Sequence, residues 1–530
     1  MSSASLPEHG AGERRVAARG VAWGGIESSV AALVGLLLTP LVLRVAGLDG
    51  LGLWGAAWSL AHTAGILDLG VGASYGRFAA RALARGDIAE LNDTLAVGVG
   101  FHLSLAGLIG LPAILMAPRL IGWFAPESPR LPEARVVVTC TLLTVLVRST
   151  LSAYRGVITG AQRLDRLGRL GSVMALCEGA GGAAALLCGA GLRGMAINSL
   201  LMAGVSSGAE AAMAHRLCPG LRLRPFRAGA DTYRRVLSFG SRLQVTRGCE
   251  ILASHLPRLT LAAGPGLMAA GLYDLGARVA GLVALPASLP LRVILPLAGH
   301  LDARGDGARL AALLSRATRY VALLALPCAG LVMIDARALL LAWTGQPAPP
   351  ESVAVARWLA AAVSITLLAS PLRLVLRGTG HPGLEAAATA AAAATQTALA
   401  LALARAWGAP GVALATFAGA MILSGTLLAG VRRLGQRPGT LQAARVLIAP
   451  FLALGASLLG GWLVGAVASL PGLPESATRL EALAALAYRG PVMASLFLLT
   501  SWRCGALLPV DLELLRDALL PRRPAGRRAA

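Results

Sequence analysis

Residues 94–118 read TLAVGVGFHLSLAGLIGLPAILMAP, with no Asp, Glu, Lys or Arg in the stretch. At about 1.5 Å per residue, a helix of this length exceeds the roughly 30 Å hydrocarbon core of a bilayer. Residues 28–43, 320–334, 406–431 and 446–474 are equally free of charge. Between such stretches the loops alternate. Those around Arg77–Arg85, Arg163–Arg169, Arg222–Arg235, Arg304–Arg319 and Arg432–Arg445 are densely basic, whereas the connections at 45–50, 262–271 and 406–411 are short and nearly neutral. Arginine on every other loop is the positive-inside pattern, so the chain reads as an all-α, polytopic membrane protein with the arginine-rich loops in the cytoplasm.

Composition agrees. Hydrophobic residues make up 56% of the 530-residue chain and charged residues 14%, against roughly 25% charged in a soluble domain. The formal net charge of +22 lies in one set of loops. It therefore orients the chain in a membrane, with anionic lipid as its partner, and does not mark a nucleic-acid binder. All 48 basic residues are arginine, which points to a GC-rich bacterial genome and hence to a bacterial cytoplasmic membrane. The 7 cysteines are scattered, mostly within apolar spans, with no CxxC. They read as small hydrophobes, and no grouping of His, Cys and acids has metal spacing.

Counting segments of about 20 apolar residues gives about 14 spans. They cover roughly 20–44, 51–76, 93–117, 135–159, 169–191, 194–216, 238–262, 270–297, 319–342, 353–377, 383–405, 410–432, 445–469 and 482–503. An even number places both termini in the cytoplasm. The apolar run behind the polar residues 1–19 is too long for a signal-peptide core and reads as a retained first helix. The tail, 504–530, is basic, and Asp511–Leu520 is expected to lie in the interface. An internal echo divides the rest. Gly52-Leu53-Trp54 and then Ala84-Arg85-Gly86-Asp87 recur as Gly271-Leu272-Tyr273 and Ala303-Arg304-Gly305-Asp306, both at an offset of 219 (271 − 52 and 303 − 84). Two six-helix halves follow, 20–230 and 231–435, with two further helices in 436–503. Transporters built from repeats usually hold their cargo between them, near the membrane midplane.

With these residues in hand, the chain resembles the polysaccharide-biosynthesis flippases of the multidrug/oligosaccharidyl-lipid/polysaccharide exporter superfamily. The likeness rests on Pro40, Arg44, Gly47, Gly52-Leu53-Trp54, Asp68-Leu69-Gly70, Arg77 and Arg85-Gly86-Asp87 in the first half. In the second half it rests on Gly271-Leu272-Tyr273, Pro286, Pro296, Gly378-Thr379-Gly380-His381-Pro382 and Gly408-Ala409-Pro410-Gly411-Val412-Ala413. Leu53-Trp54 departs from the commoner Tyr-Gly but keeps an aromatic at the interface. The resemblance implies a V-shaped pair of six-helix bundles with alternating access, two added helices, and an undecaprenyl-pyrophosphate-linked oligosaccharide as cargo. It also implies other polysaccharide-assembly membrane proteins as partners.

Charges inside spans are where function is sought, since each costs about 2.5–3.5 kcal/mol at mid-bilayer on insertion scales. The seventh span holds Arg242, Gln244, Arg247, Glu250, Ser254, His255 and Arg258. Arg247, Glu250, Ser254 and Arg258 share one helix face. That face could bind a pyrophosphate through guanidinium donors. Alternatively, it is a structural Arg247–Glu250 pair with Arg242 and Arg258 snorkelling to headgroups. Arg278 is a further cargo candidate or a partner of Asp274 four residues earlier. Arg292 lies among Pro286, Pro290 and Pro296, which predict a kinked or broken helix. In the fourth span Arg155 is expected to snorkel at the cytoplasmic end, and Arg148 to face the cavity. Asp68, Glu27, Glu178 and Glu210 are the candidates for coupling to H⁺ or Na⁺, or else interhelical partners of arginines. His62, His102 and His255 read as hydrogen-bonded packing.

The lack of any lysine excludes a GxxxxGK[ST] phosphate cradle, and no cofactor is called for. A transporter without enzyme activity is therefore expected. The leading reading is a lipid-linked oligosaccharide flippase. A drug or cation antiporter on the same scaffold would want an anionic, aromatic-lined cavity, and this chain has 4% aromatics. A polysaccharide polymerase or ligase would need a substantial outer loop, and the outer loops are short.

Overall fold

A computed structural model describes residues 9–64, 71–116, 131–288, 291, 294–433, 437–467 and 478–506. Asp68, Pro290, Arg292 and the segment Asp511–Leu520 lie outside these residues, and the side chains of Arg242 and Gln244 are likewise not described. Every regular element among the described residues is helical. In chain order they are α1 (His9–Ala64), α2 (Val71–Arg85), α3 (Ile88–Leu105), α4 (Leu131–Thr150), α5 (Ser152–Gly160), α6 (Leu164–Leu187), α7 (Gly191–Leu217) and α8 (Ala230–Ala263). There follow α9 (Leu267–Gly281), α10 (Ala284–Ala287), α11 (Ile294–Ala303), α12 (Gly307–Thr344), α13 (Pro350–Gly378), α14 (Pro382–Arg433), α15 (Arg437–Val467) and α16 (Arg479–Arg503).

Nine helical segments among the described residues are long and apolar enough to cross a membrane. Two of them are double length: Ala22–Thr63 has 42 residues and Pro382–Val431 has 50. Each breaks at a glycine, Gly47 (φ 69°, ψ −172°) and Gly408 (φ 59°, ψ −139°), a backbone region open almost only to glycine. Each is therefore a helical hairpin of two crossings. Leu37, Leu108, Leu187, Leu201 and Trp462 stand more than 60% exposed on the helix flanks. Large apolar side chains presented outward in such number suit lipid and not water. The chain is a multi-pass, all-α membrane protein.

Two of the sequence spans are shaped differently from expectation, and a third is broken as expected. The fourth is divided at Leu151 (φ −94°, ψ 3°) into α4 and α5. The third runs from α3 through a π-helical turn at Ala106–Gly110 and on to Met116. The eighth is broken, as its prolines require: α9 ends at Gly281, and the short α10 precedes α11. Pro286 sits in the first turn of the short α10, where the backbone donor that proline lacks has no partner within the helix.

The chain divides into two compact units. One comprises Met1–Asp274 with Thr397–Val412, the other Leu275–Gln396 with Ala413–Ala530. In the first unit a buried core of Tyr75, Leu91, Leu95, Ile158 and Leu167 ties α2 and α3 to α5 and α6. In the second, Ile294, Leu314, Leu372, Leu376 and Leu427 join α11, α12, α13 and α14, while Leu326 and Phe497 bring α16 onto α12.

The 219-residue offset recurs in the backbone. Left-handed glycines stand at Gly47 and Gly266, Gly86 and Gly305, and Gly189 and Gly408, each pair separated by 219 (266 − 47, 305 − 86 and 408 − 189). The two ARGD turns have the same conformation, with φ 67° at Gly86 and 66° at Gly305. Both then start a helix in the same way: Asp87 accepts from the Glu90 amide and Asp306 from the Arg309 amide. These are N-caps, each satisfying one of the free donors of the first helical turn.

Candidate functional site: an ionic ladder and the polar face of α8

The charged side chains inside the first unit fall into two groups. One runs along α4 and α5. Arg148 Nη2 donates to Glu178 Oε2 of α6 at 2.8 Å, and Asn198 Nδ2 of α7 donates to the Glu178 backbone carbonyl at 2.9 Å. Seven residues on, the Arg155 guanidinium bridges two carboxylates: Nη1 to Glu210 Oε1 of α7 at 3.0 Å and Nη2 to Glu27 Oε1 of α1 at 3.1 Å. Five helices, α1, α4, α5, α6 and α7, are thus tied together by two arginines. The small residues allow it. A side chain at Gly171 would collide with the Glu27 carboxylate, and one at Gly181 with the Asn198 amide.

This arrangement corrects the expectation for Arg155. It does not snorkel; its guanidinium is held between Glu27 and Glu210, although the side chain is 44% exposed. Pairing with Arg148 and Arg155 also accounts for the three carboxylates Glu27, Glu178 and Glu210 within apolar spans. Three acids for two arginines leave the ladder with a formal charge of −1 (2 − 3) when all are ionised.

The second group is the polar face of α8. Arg258 Nε donates to Asp274 Oδ1 of α9, Nη1 donates to the Ser254 carbonyl at 2.8 Å, and the guanidinium carbon lies 5.7 Å from the Tyr273 ring centroid. Arg258 therefore has a buried carboxylate partner and does not snorkel. Asp274 accordingly has a partner, Arg258, that sequence spacing did not indicate; Arg278 is half-buried on α9 in the other unit. Ser254 Oγ donates to the Glu250 carbonyl at 2.8 Å. Arg247 is exposed, and among the described residues no carboxylate lies within ion-pairing distance of it. Of the arginines expected to meet cargo, it is the one left with an unneutralised charge in this unit.

An aromatic column lies beside this face. Trp54 and Trp58 are 5.9 Å apart edge to face, Trp58 and His62 5.4 Å, and His62 stacks on His255 at 5.0 Å with 17° between the rings. His62 Nδ1 bonds to the Trp58 carbonyl at 2.8 Å, and His102 Nδ1 lies 2.9 Å from the Gly98 carbonyl and 3.2 Å from the Tyr75 hydroxyl. His102 is thus buried and hydrogen-bonded, whereas His62 is exposed and His255 is held by its stacking on His62. The column itself was hidden, because it joins α1 to α8 across almost two hundred positions. Its sequence signal is the i, i+4, i+8 run Trp54, Trp58, His62, which places three rings on one helix face.

No family model matches the chain, and no curated protein matches it. The fold, by contrast, is shared with solved membrane transporters. The lipid II flippase MurJ in an inward closed conformation superposes with a TM-score of 0.67 at 12% identity, over 91% of this chain and 99% of that one. An inward-facing multidrug resistance transporter of the MATE family, in the MOP superfamily, gives 0.64 at 14% identity, over 78% and 98%. A MOP superfamily transporter from Pyrococcus furiosus, whose binding pocket is described as reversed in polarity, gives 0.53 at 14% identity, over 80% and 96%.

Proposed function

We propose, on the premise of the fold that this chain has in common with the multidrug/oligosaccharidyl-lipid/polysaccharide exporter superfamily, that it is a flippase. Its cargo is an undecaprenyl-pyrophosphate-type lipid-linked oligosaccharide, moved across the bacterial cytoplasmic membrane by alternating access for surface polysaccharide assembly. Both termini lie in the cytoplasm, and the repeat halves 20–230 and 231–435 act as the two moving bundles.

The observation that carries this reading is the extent of the likeness. The lipid II flippase accounts for 91% of the chain and the multidrug transporter for 78%. Arg247 supplies the chemistry. An exposed guanidinium on α8, a helix expected from the sequence to span the membrane, with no neutralising carboxylate among the described residues, offers paired donors to a phosphate as it passes. Glu250, one turn away, would position it, and Arg278 would be a second contact. Arg148 and Arg258 keep to their carboxylates and act as framework. Glu27, Glu178 and Glu210 would serve coupling, because one of the three exceeds the arginines available to it; Asp68 is a further candidate.

The test is Arg247→Ala in the producing cell. Surface polysaccharide is expected to be lost while the protein still inserts at normal abundance. Unchanged polysaccharide would remove Arg247 from the pathway of the cargo. Raised drug resistance on overexpression, with polysaccharide unaffected, would favour the antiporter reading, for which the formally negative ladder is the supporting feature.

A further inference from the structure

The second unit holds a cationic cavity that the proposed transport cycle does not use. It has a volume of about 340 Å³ and is walled by α12, α13 and α16, with Asp335, Arg337, Arg357, Arg489 and Pro350 on its lining. Three arginines and one aspartate give it a formal charge of +2 (3 − 1). The positive end of α13 adds to this, since Pro350 is the first residue of that 29-residue helix.

The walls are fixed. Arg489, 6% exposed, donates from Nη1 to Asp335 Oδ1 at 2.9 Å, and Asp335 is itself only 2% exposed. Arg479 Nε, at the start of α16, donates to the Ala342 carbonyl at 2.9 Å near the end of α12. Thr478 and Glu481 form a capping box that sets the first turn of α16. α12 is interrupted at Asp335 itself, where φ is −106° and ψ 23°. The break presents the aspartate to the cavity and not to the next helical turn.

Two features are left over. Asp335 Oδ2 is buried without a hydrogen-bond partner, which is costly for a carboxylate unless a donor arrives. Arg337 is half-buried with no ion pair among the described residues, and Arg357 makes a long hydrogen bond, 3.5 Å from Nη2 to the Ile334 carbonyl. The cavity thus offers two guanidinium groups for an anion and one acceptor for a hydroxyl.

Depth identifies where such a ligand comes from. Asp335 lies 16 positions beyond Arg319, the last arginine of the basic stretch (335 − 319). At about 1.5 Å per residue that is roughly 24 Å along the helix, most of the way through a hydrocarbon core of about 30 Å. The cavity therefore lies toward the headgroups of the leaflet opposite the basic loops, within reach of arginine side chains that extend to them. A volume near the lower end of the roughly 300–1,000 Å³ found for ligand pockets admits a headgroup but not an oligosaccharide.

We propose that this cavity binds the phosphodiester of an anionic phospholipid headgroup from the outer leaflet, with Arg337 and Arg357 on the phosphate and a headgroup hydroxyl donating to Asp335. Phosphatidylglycerol has this chemistry. Phosphatidylcholine has the phosphate but neither the net charge nor a donor.

The test is native mass spectrometry of the full-length protein in detergent, titrated with phosphatidylglycerol and with phosphatidylcholine. Phosphatidylglycerol is expected to bind in preference. Arg337→Gln and Arg357→Gln are each expected to weaken it by about tenfold, the effect of one lost charge-assisted hydrogen bond. These variants spare the buried Asp335–Arg489 pair, so the fold is kept. Equal binding of the two lipids, or phosphatidylglycerol binding unchanged in both variants, would overturn the proposal. Displacement of the lipid by soluble glycerol phosphate would overturn its assignment to the membrane and make the ligand a phosphate from solution.

Discussion

Gly52 and Gly271 pack back to back as repeat-related mates. A Cβ on Gly52 would fall 2.8 Å from the Gly271 amide nitrogen, and a Cβ on Gly271 would fall 3.2 Å from that of Gly52. The reciprocity extends one turn. Gly52 faces the Leu267 carbonyl and Gly271 the Leu48 carbonyl, and 267 and 48 are again 219 apart. A contact in which i meets j and j meets i is what a local two-fold axis produces. One turn on, the symmetry is broken to a purpose: Gly55 has Asp274 as its mate, and the absent side chain makes room for the carboxylate that Arg258 requires.

The first prediction concerns this contact. Gly52→Leu or Gly271→Leu should drive the two helices apart, because the atoms in the way are backbone and cannot rotate aside. Overpacking of this kind costs typically 1–3 kcal/mol, so a clear fall in the thermal midpoint of the purified protein is expected for either, on the order of a few degrees. Gly24→Leu, at a glycine with open space around it, should leave the midpoint unchanged.

The second concerns Arg155. Removing it sets Glu27 against Glu210 with no cation between them. Arg155→Ala is expected to destabilise the protein by on the order of 1 kcal/mol, a modest figure because the side chain is 44% exposed. Adding Glu27→Gln and Glu210→Gln to that variant should restore part of the loss. A triple variant no more stable than the single one would show that the bridge contributes nothing to this unit.

The third concerns the buried pair in the second unit. Arg489 and Asp335 have side chains 7% and 1% exposed, so deleting one partner leaves a charge in the interior. Arg489→Ala should cost about 3–5 kcal/mol, while Asp335→Leu combined with Arg489→Met should come close to neutral. Both are read from thermal unfolding in detergent.

Much of the fold is legible in the sequence because the bilayer imposes it. A stretch such as 94–118 has one stable state in lipid, and arginine on alternate loops orients it. The 219-residue echo is legible as well, since the turns at Gly86 and Gly305 need the same residues in the same order. The site is less so. Sequence spacing suggests pairs along one helix, such as Asp274 with Arg278 or Arg247 with Glu250. It does not find the partners that packing supplies across helices, Arg155 with Glu27 and Glu210, or Arg258 with Asp274. Those partners change the electrostatic reading, since they neutralise Arg148, Arg155 and Arg258 and leave Arg247 as the one of these arginines with no carboxylate within ion-pairing distance among the described residues. The break at Asp335 was equally hidden. Nothing in the run from Gly307 to Thr344 other than Pro327 interrupts a helical pattern, and the break belongs to the buried ion pair that the aspartate makes with a helix 154 positions away.

The central claim is that the chain carries a pyrophosphate-linked lipid past Arg247. It is tested most directly by reconstituting the purified protein into proteoliposomes and following movement of an undecaprenyl-pyrophosphate oligosaccharide between leaflets. The wild-type protein is predicted to accelerate it over protein-free vesicles, and Arg247→Ala to slow it by about tenfold or more, as the loss of a charge-assisted contact requires. No acceleration by the wild-type protein, or equal rates for the two proteins, would contradict the account.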